Sequence, residues 1–175
     1  MYKIILLGFH LFIQPIFAAE VLLKNASPDQ IVKGFQRQEE NQEYASTSRT
    51  LKPIPNKSEA IQAPISQSFV INFEFDSSEV RKESYKILQN ISAAITSPTL
   101  EKATFVIEGH TDAVGKLDYN IALSKRRADS VKYFLIQNGV STNRLNSVGK
   151  GPTELNDSAN PTDSSNRRVK IIRMN

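Results

Sequence analysis

Three charged residues have the types and spacing to bind a ligand that carries both charges. Asp76 and Asp112 each follow a segment predicted to be a strand, and Arg127 lies in a predicted helix. If the two strands are neighbours, their ends gather both carboxylates at one edge of a sheet, close to the start of that helix. A carboxylate binds an ammonium group, and a guanidinium binds a carboxylate through a two-pronged hydrogen bond. This combination therefore predicts recognition of a zwitterion.

Arg127 lies on an unexpected face of its helix. With about 100° of rotation per residue, it falls within about 40° of Val131 and Phe134, in the middle of the apolar stripe. Asn120 shares this stripe, whereas Lys125 and Arg126 lie on the solvated face. A cation in an apolar stripe is unfavourable unless a carboxylate or a ligand meets it. Two interpretations follow: a buried ion pair that stabilises the fold, or an arginine that binds an anion in a pocket.

The elements that must position these residues form a β-α-β-α-β-β pattern. It predicts an α+β domain, with one mixed sheet and two helices packed on one face. A capping-box pattern at Asp76–Glu79 predicts a helix start there, and Gly139 is predicted to end the long helix. The predicted strands are 68–75, 103–108, 144–148 and 167–174, and the predicted helices are about 76–97 and 117–138.

The residues before this domain have a different composition. Residues 1–18 combine one lysine, a short apolar run, Pro15 and a small residue at Ala18, the pattern of a cleaved secretory signal peptide. The alternative is a retained membrane anchor. Residues 19–66 contain four prolines and many polar residues, which predicts a flexible, disordered linker. The folded domain is then predicted to span 67–175, and with either interpretation of residues 1–18 it is predicted to be exported.

Composition argues against several functions. The 175 residues contain no cysteine, which excludes disulfides, a cysteine nucleophile and a lipid anchor on cysteine. The two histidines include one in the predicted signal peptide, so neither a metal site nor a Ser-His-Asp triad is predicted, nor is any cofactor. The net charge of +4 is too small to indicate nucleic-acid binding. A binding protein is therefore favoured over an enzyme.

A block of motif residues resembles the OmpA-like C-terminal domain family. The pattern N-x-x-L-S-x-x-R-A-x-x-V-x-x-x-L begins at Asn120 and ends at Leu135, after the turn EGHTDAVG. FEFDSS precedes this block, and NRRV follows it at 166–169. Lys150 departs from the family, which usually has an aromatic or apolar residue between the two glycines. Ser164 and Ser165 stand where a Gly-Arg pair is usual.

The resemblance implies non-catalytic binding of peptidoglycan through the diaminopimelate residue of its stem peptide. By this resemblance Asp112 binds an amino group of the ligand and Arg127 binds its carboxylate. The positions expected to support them are Thr111, Asn120, Ser78 and Arg167, with Asp76 beside them. The implied location is the periplasm, in association with peptidoglycan and the outer membrane. The alternative is a subunit of an envelope-spanning complex, of stator or secretion type, with a retained anchor.

Overall fold

The computed structural model describes residues 21–36 and 65–174. The predicted signal peptide, 1–18, lies outside the described residues. In chain order the regular elements are β1 (Leu22–Leu23), α1 (Pro28–Gln36), β2 (Ile65–Phe69), α2 (Tyr85–Ile95), β3 (Phe105–His110), α3 (Leu117–Gln137), β4 (Leu145–Gly151) and β5 (Val169–Arg173). Short 3₁₀ turns precede α2, β4 and β5.

The strands form one mixed sheet in the order β1-β2-β5-β3-β4. β5 pairs antiparallel with both β2 and β3, while β1–β2 and β3–β4 are parallel pairs. From β2 onward the order is β-α-β-α-β-β, so the predicted α+β architecture is confirmed. This topology places the end of β3 beside the start of β5, where the two strands pair.

The hydrophobic core lies on the face of the sheet that the helices cover. Alternation along the strands directs Phe69, Ile107 and Ile171 to this face, and all three are buried. The predicted packing of two helices on one face is confirmed. The buried helix residues are Ile87, Leu88, Ile91, Ala94 and Ile95 of α2 and Leu123, Ala128, Val131 and Leu135 of α3.

Helix α3 lies unusually close to the sheet because two strand glycines face it. A Cβ atom on Gly149 would lie 2.5 Å from the backbone carbonyl oxygen of Ile121, and one on Gly109 would clash with that of Ser124. The Ser124 hydroxyl also accepts a hydrogen bond from the backbone N–H of Gly151, at 2.9 Å. These contacts fix the height of α3 over β3 and β4. Arg127, one turn after Ser124, is thereby held close to the ends of the strands.

The prediction of a disordered linker is wrong for residues 21–36. Helix α1 buries Ile31 and Phe35 completely, and the Phe35 ring packs edge-on against Phe105 with 5.4 Å between centroids. Gln67 donates a hydrogen bond to the backbone carbonyl of Ile31 at 2.8 Å. Strand β2 also begins at Ile65, two residues before the predicted domain boundary. A third helix therefore packs on the covered face.

The sequence does contain a signal for the start of α1. The Ser27 hydroxyl accepts from the backbone N–H of Gln30 at 3.3 Å, and the Gln30 side chain accepts from that of Ser27 at 2.8 Å. This is a capping box, with Pro28 in the first helical position. A nine-residue helix is marginal alone, so packing of Ile31 and Phe35 must supply most of its stability.

The segment after β2 also differs from the prediction. The strand ends at Phe69, and α2 begins at Tyr85 rather than near Asp76. Between them residues 73–80 form a tight loop closed by a β-bridge between Phe73 and Val80. The Ser77 hydroxyl accepts from the backbone N–H of Glu79 at 3.0 Å. Such local hydrogen bonds compete with a helix start, which explains why the capping-box pattern here does not begin one.

Within the described ranges, no helix combines the length and apolar character required to cross a membrane.

Candidate functional site

Arg127 extends from α3 toward the 73–80 loop and is half-buried. Its Nε donates a hydrogen bond to the backbone carbonyl of Ser77 at 2.9 Å. The guanidinium carbon lies 5.0 Å from the centre of the Phe73 ring, within the range of a cation–π contact. The predicted position within the apolar stripe is correct, since Leu123, Ser124, Ala128 and Val131 around it are buried. These contacts orient the guanidinium and leave its two terminal nitrogens for a ligand.

The charge of Arg127 is not neutralised by an adjacent acid. It forms no ion pair with another described residue. Burial lowers its pKa, and the positive charge of Arg167 lowers it further, against the opposing effects of Tyr119, Asp112 and Asp76. Arginine stays protonated despite such shifts. Of the two interpretations of this residue, the structural ion pair is therefore not found among the described residues.

Asp112 lies in the turn after β3, and its partner is a different arginine. Arg167 Nη1 lies 2.6 Å from Asp112 Oδ2, and the second carboxylate oxygen accepts from the backbone N–H of Val114 at 3.2 Å. The Asp112 side chain is 13% exposed and that of Arg167 is 49% exposed. The Asp112 carboxylate is thus held by two partners, whereas Arg167 is the more exposed member of the pair.

A cleft of about 500 Å³ opens beside these residues. We call it the Arg127 cleft. It lies where β2 and β3 end and β5 begins, so segments distant in the chain form its walls. Its described lining contains no carboxylate, and Asp112 adjoins it through Arg167. The basic side chains and the imidazole in the lining belong to Lys24, Arg81, His110, Arg127, Arg167 and Arg168. The cleft is therefore suited to an anionic group.

Asn120 and Thr111 hold the turn that carries Asp112. Asn120 is buried, and its side-chain amide donates to the backbone carbonyl of Val114 at 2.8 Å. Thr111 is also buried, and its backbone N–H donates to the carbonyl of Gly151 at 3.0 Å. The Thr111 hydroxyl has no hydrogen-bond partner among the residues described here. The structure thus shows both residues shaping the Asp112 turn.

Asp76 and Ser78 lie on the 73–80 loop, on different sides of it. Asp76 has a left-handed backbone conformation with φ of 52°, and its carboxylate accepts a hydrogen bond from the Tyr119 hydroxyl. It is exposed at the rim, rather than at the end of a strand. Ser78 lines a separate depression with Tyr133 and Phe134. The structure therefore brings Asp76 near Arg127 but does not bring Ser78 into the Arg127 cleft.

Comparison with known proteins identifies the fold and the family. The model of the OmpA family matches residues 72–169, which include the end of β3, the Asp112 turn and all of α3.

The chain belongs to the OmpA family.

Relatives with known names agree with this assignment. Outer membrane protein A of Bordetella avium is 34% identical over 126 residues, which are 68% of this chain and 63% of that protein. The peptidoglycan-associated lipoprotein of Brucella melitensis is 34% identical over 61% of this chain and 67% of its own length. The chain spans less than two thirds of the length of the outer-membrane proteins it matches.

A solved structure shows the same fold. The peptidoglycan-associated lipoprotein from Burkholderia pseudomallei superposes with a TM-score of 0.51 and 27% identity, covering 61% of this chain and 89% of the other. The predicted resemblance to OmpA-like domains is thus confirmed. Residues 21–36, which contain β1 and α1, lie outside the range that the family model matches.

Lys150, which departs from the usual family pattern, has a structural explanation. Its ammonium lies 3.3 Å from Glu108 Oε1 and 2.7 Å from Glu154 Oε1. Glu108, His110 and Glu154 place potential ligand atoms within 4.8 Å of one another, which is close enough to hold a metal ion. The Lys150 ammonium already supplies positive charge to both carboxylates. This cluster is therefore better explained as an ion-pair network than as a metal site.

Glu108 should make stability depend on pH. Burial acts to raise its pKa, but His110 and the positive charge of Lys150 outweigh burial, so the pKa lies below its ordinary value. The carboxylate then stabilises the fold above its unfolded pKa, and this contribution is lost as the pH falls through the lower folded value. We expect wild type to lose more stability than Glu108→Gln between about pH 6 and 3. Thermal melts across this range test it; parallel losses in the two proteins would contradict it.

Sequence reasoning missed several residues that line or orient the cleft. Phe73 contacts Arg127, and Tyr119 donates a hydrogen bond to Asp76. The aromatic residues of the FEFDSS and DYN segments could have indicated these contacts. His110, which belongs to the EGHTDAVG turn, also lines the cleft. Lys24 carried no signal, because it belongs to a segment predicted to be disordered.

Proposed function

We propose that this protein binds peptidoglycan without catalysis, through the diaminopimelate residue of the stem peptide, and so attaches to the cell wall in the bacterial envelope. The observation that carries the proposal is the half-buried Arg127 guanidinium, which forms no ion pair with another described residue and lies in a basic cleft beside Asp112. A buried charge without a counterion is unfavourable, and a ligand carboxylate would relieve this.

The two charged ends of the ligand would have separate partners. The carboxylate at the side-chain end of diaminopimelate would bind the free nitrogens of Arg127. The ammonium beside it would bind Asp112, displacing the guanidinium of Arg167 from Oδ2. Arg167 lines the same cleft and is half exposed, so it can turn toward the bound carboxylate. Ligand binding would thus replace the Asp112–Arg167 pair by two pairs, one between Asp112 and the ligand ammonium and one between Arg127 and the ligand carboxylate.

Two further observations support this assignment. The named relatives include peptidoglycan-associated lipoproteins, one of which shares the fold at 27% identity. Asn120 and Thr111 belong to the matched range and hold the Asp112 turn by hydrogen bonds, so the carboxylate is oriented before a ligand arrives. A pre-oriented site loses less conformational entropy on binding. The proposed role is binding and anchoring in the periplasm, with Asp76 at the rim.

Binding should distinguish diaminopimelate from lysine in otherwise identical stem peptides. Both side chains end in an amine, but only diaminopimelate adds a carboxylate there. A lysine-type peptide would leave Arg127 buried and unpaired, at a loss of about 1.5–3 kcal/mol. We expect at least about tenfold weaker binding, at about 1.4 kcal/mol per decade. Calorimetric titration with matched muropeptides measures the difference. Equal affinities would contradict the proposal that Arg127 binds this carboxylate.

A further inference from the structure

The Arg127 cleft is also lined by residues of the N-terminal segment. Strand β1 is held parallel to β2, with the backbone N–H of Val70 donating to the carbonyl of Leu23 at 3.0 Å. Leu23 packs against the core, whereas its neighbours Leu22 and Lys24 line the cleft. Lys24 therefore lines the cleft and belongs to a segment that the family match does not include.

Two more basic groups line the cleft on the strands that meet there. His110, on β3, is 2% exposed, and Arg168, just before β5, is 5% exposed. His110 Nε2 lies 3.6 Å from Glu108 Oε2. Its Nδ1 is buried and has no hydrogen-bond partner among the residues that the structure describes. A buried imidazole nitrogen without a partner is unfavourable, and a ligand group that reached it would relieve this.

Two exposed cations of the lining, Arg81 and Lys24, differ in whether they form ion pairs within the described ranges. Arg81 has acidic partners outside the cleft, with Glu74 at 3.5 Å and Glu83 at 3.1 Å. Lys24 forms no ion pair with any residue in the described ranges and is exposed to solvent. The cleft volume of about 500 Å³ is typical of a site that holds a whole small ligand. The cleft is therefore larger than the end of one diaminopimelate side chain requires.

We propose that Lys24, His110 and Arg168 form a second anion subsite, which binds another carboxylate of the same stem peptide. The proposal rests on the proposed function, because Arg127 and Asp112 must hold the diaminopimelate end. It adds a residue from the N-terminal segment to the recognition surface. The stem peptide is then bound at two points, and the second contact depends on residues 21–36 being folded against β2.

Substitution of Lys24 tests the subsite with little risk to the fold, since its side chain is exposed. The full chain would be titrated with free diaminopimelate, with a diaminopimelate stem peptide, and with that peptide amidated at every carboxylate except the one at the diaminopimelate side-chain end. We expect Lys24→Gln to weaken binding of the unmodified peptide by about threefold to tenfold. The affinity for free diaminopimelate should not change. Lys33→Gln removes the same charge from the same segment, outside the cleft, and should change neither affinity.

Each outcome bears on the subsite separately from the proposed function. The subsite is supported if the effect of Lys24→Gln disappears with the amidated peptide. It is overturned if Lys24→Gln binds the unmodified peptide as wild type does, or if the effect persists after amidation. If inorganic phosphate competes with the peptide in wild type but not in Lys24→Gln, the subsite binds oxyanions generally. Failure of the proposed function would appear differently, as binding of free diaminopimelate that does not depend on Arg127.

Discussion

Replacing Arg127 by glutamine should weaken binding to diaminopimelate-containing sacculi by at least about thirtyfold, because the ligand loses a charge-assisted, two-pronged hydrogen bond. Glutamine can still donate to the backbone carbonyl of Ser77 and pack its chain near Phe73. Arg127 forms no ion pair within the described part of the chain, so replacing it should not leave a buried carboxylate without its partner. Stability should therefore fall by no more than about 1–2 kcal/mol.

Two measurements separate binding from stability. Sacculus pull-down gives the affinity, and chemical denaturation gives the free energy of unfolding. Arg126→Gln, which removes the same charge from the exposed face of the same helix, should match wild type in both. If Arg127→Gln retained binding but lost more than about 3 kcal/mol of stability, as expected for a broken buried ion pair, the residue would serve the fold.

Phe35→Ala should lower the free energy of unfolding by about 3–5 kcal/mol, the usual effect of removing a buried aromatic ring. Phe35 is completely buried and packs against Phe105 of β3. Its backbone carbonyl also accepts a hydrogen bond from Arg173 of β5 at 3.0 Å. The loss should appear as a lower midpoint in urea or guanidinium, with α1 no longer held against α2 and β2.

Phe75→Ala provides the matched control. The Phe75 side chain is 98% exposed, so the same substitution should change the free energy of unfolding by less than about 0.5 kcal/mol. Equal, small effects of the two substitutions would mean that α1 is not part of the cooperative core. They would also remove the basis for placing Lys24 beside the cleft.

The sequence determined the framework of the site. The helical period placed Arg127 within the apolar stripe, and the structure confirms this position: Arg127 is half-buried and lies among the buried residues Ser124, Ala128 and Val131. Alternation and turn residues predicted the β-α-β-α-β-β order, since each element buries one continuous face. These features depend on local periodicity, which the sequence displays directly. The family motif extended this reasoning to Asp112, and the chain's membership of the OmpA family is established by the match over residues 72–169.

The tertiary structure decided which groups meet. Asp112 pairs with Arg167, 55 positions away, and Arg127 binds a backbone carbonyl of the 73–80 loop, so the charged residues are not paired as their spacing suggested. The same capping-box pattern starts a helix at Ser27 and fails to start one at Asp76. The difference is that Ile31 and Phe35 pack against the core, while the segment after Asp76 closes into a loop through the Phe73–Val80 bridge and the Ser77–Glu79 hydrogen bond. A helix cap stabilises a helix by about 1 kcal/mol, and burial of apolar side chains against distant segments stabilises it by more. Packing therefore determines which of the two capping-box patterns begins a helix.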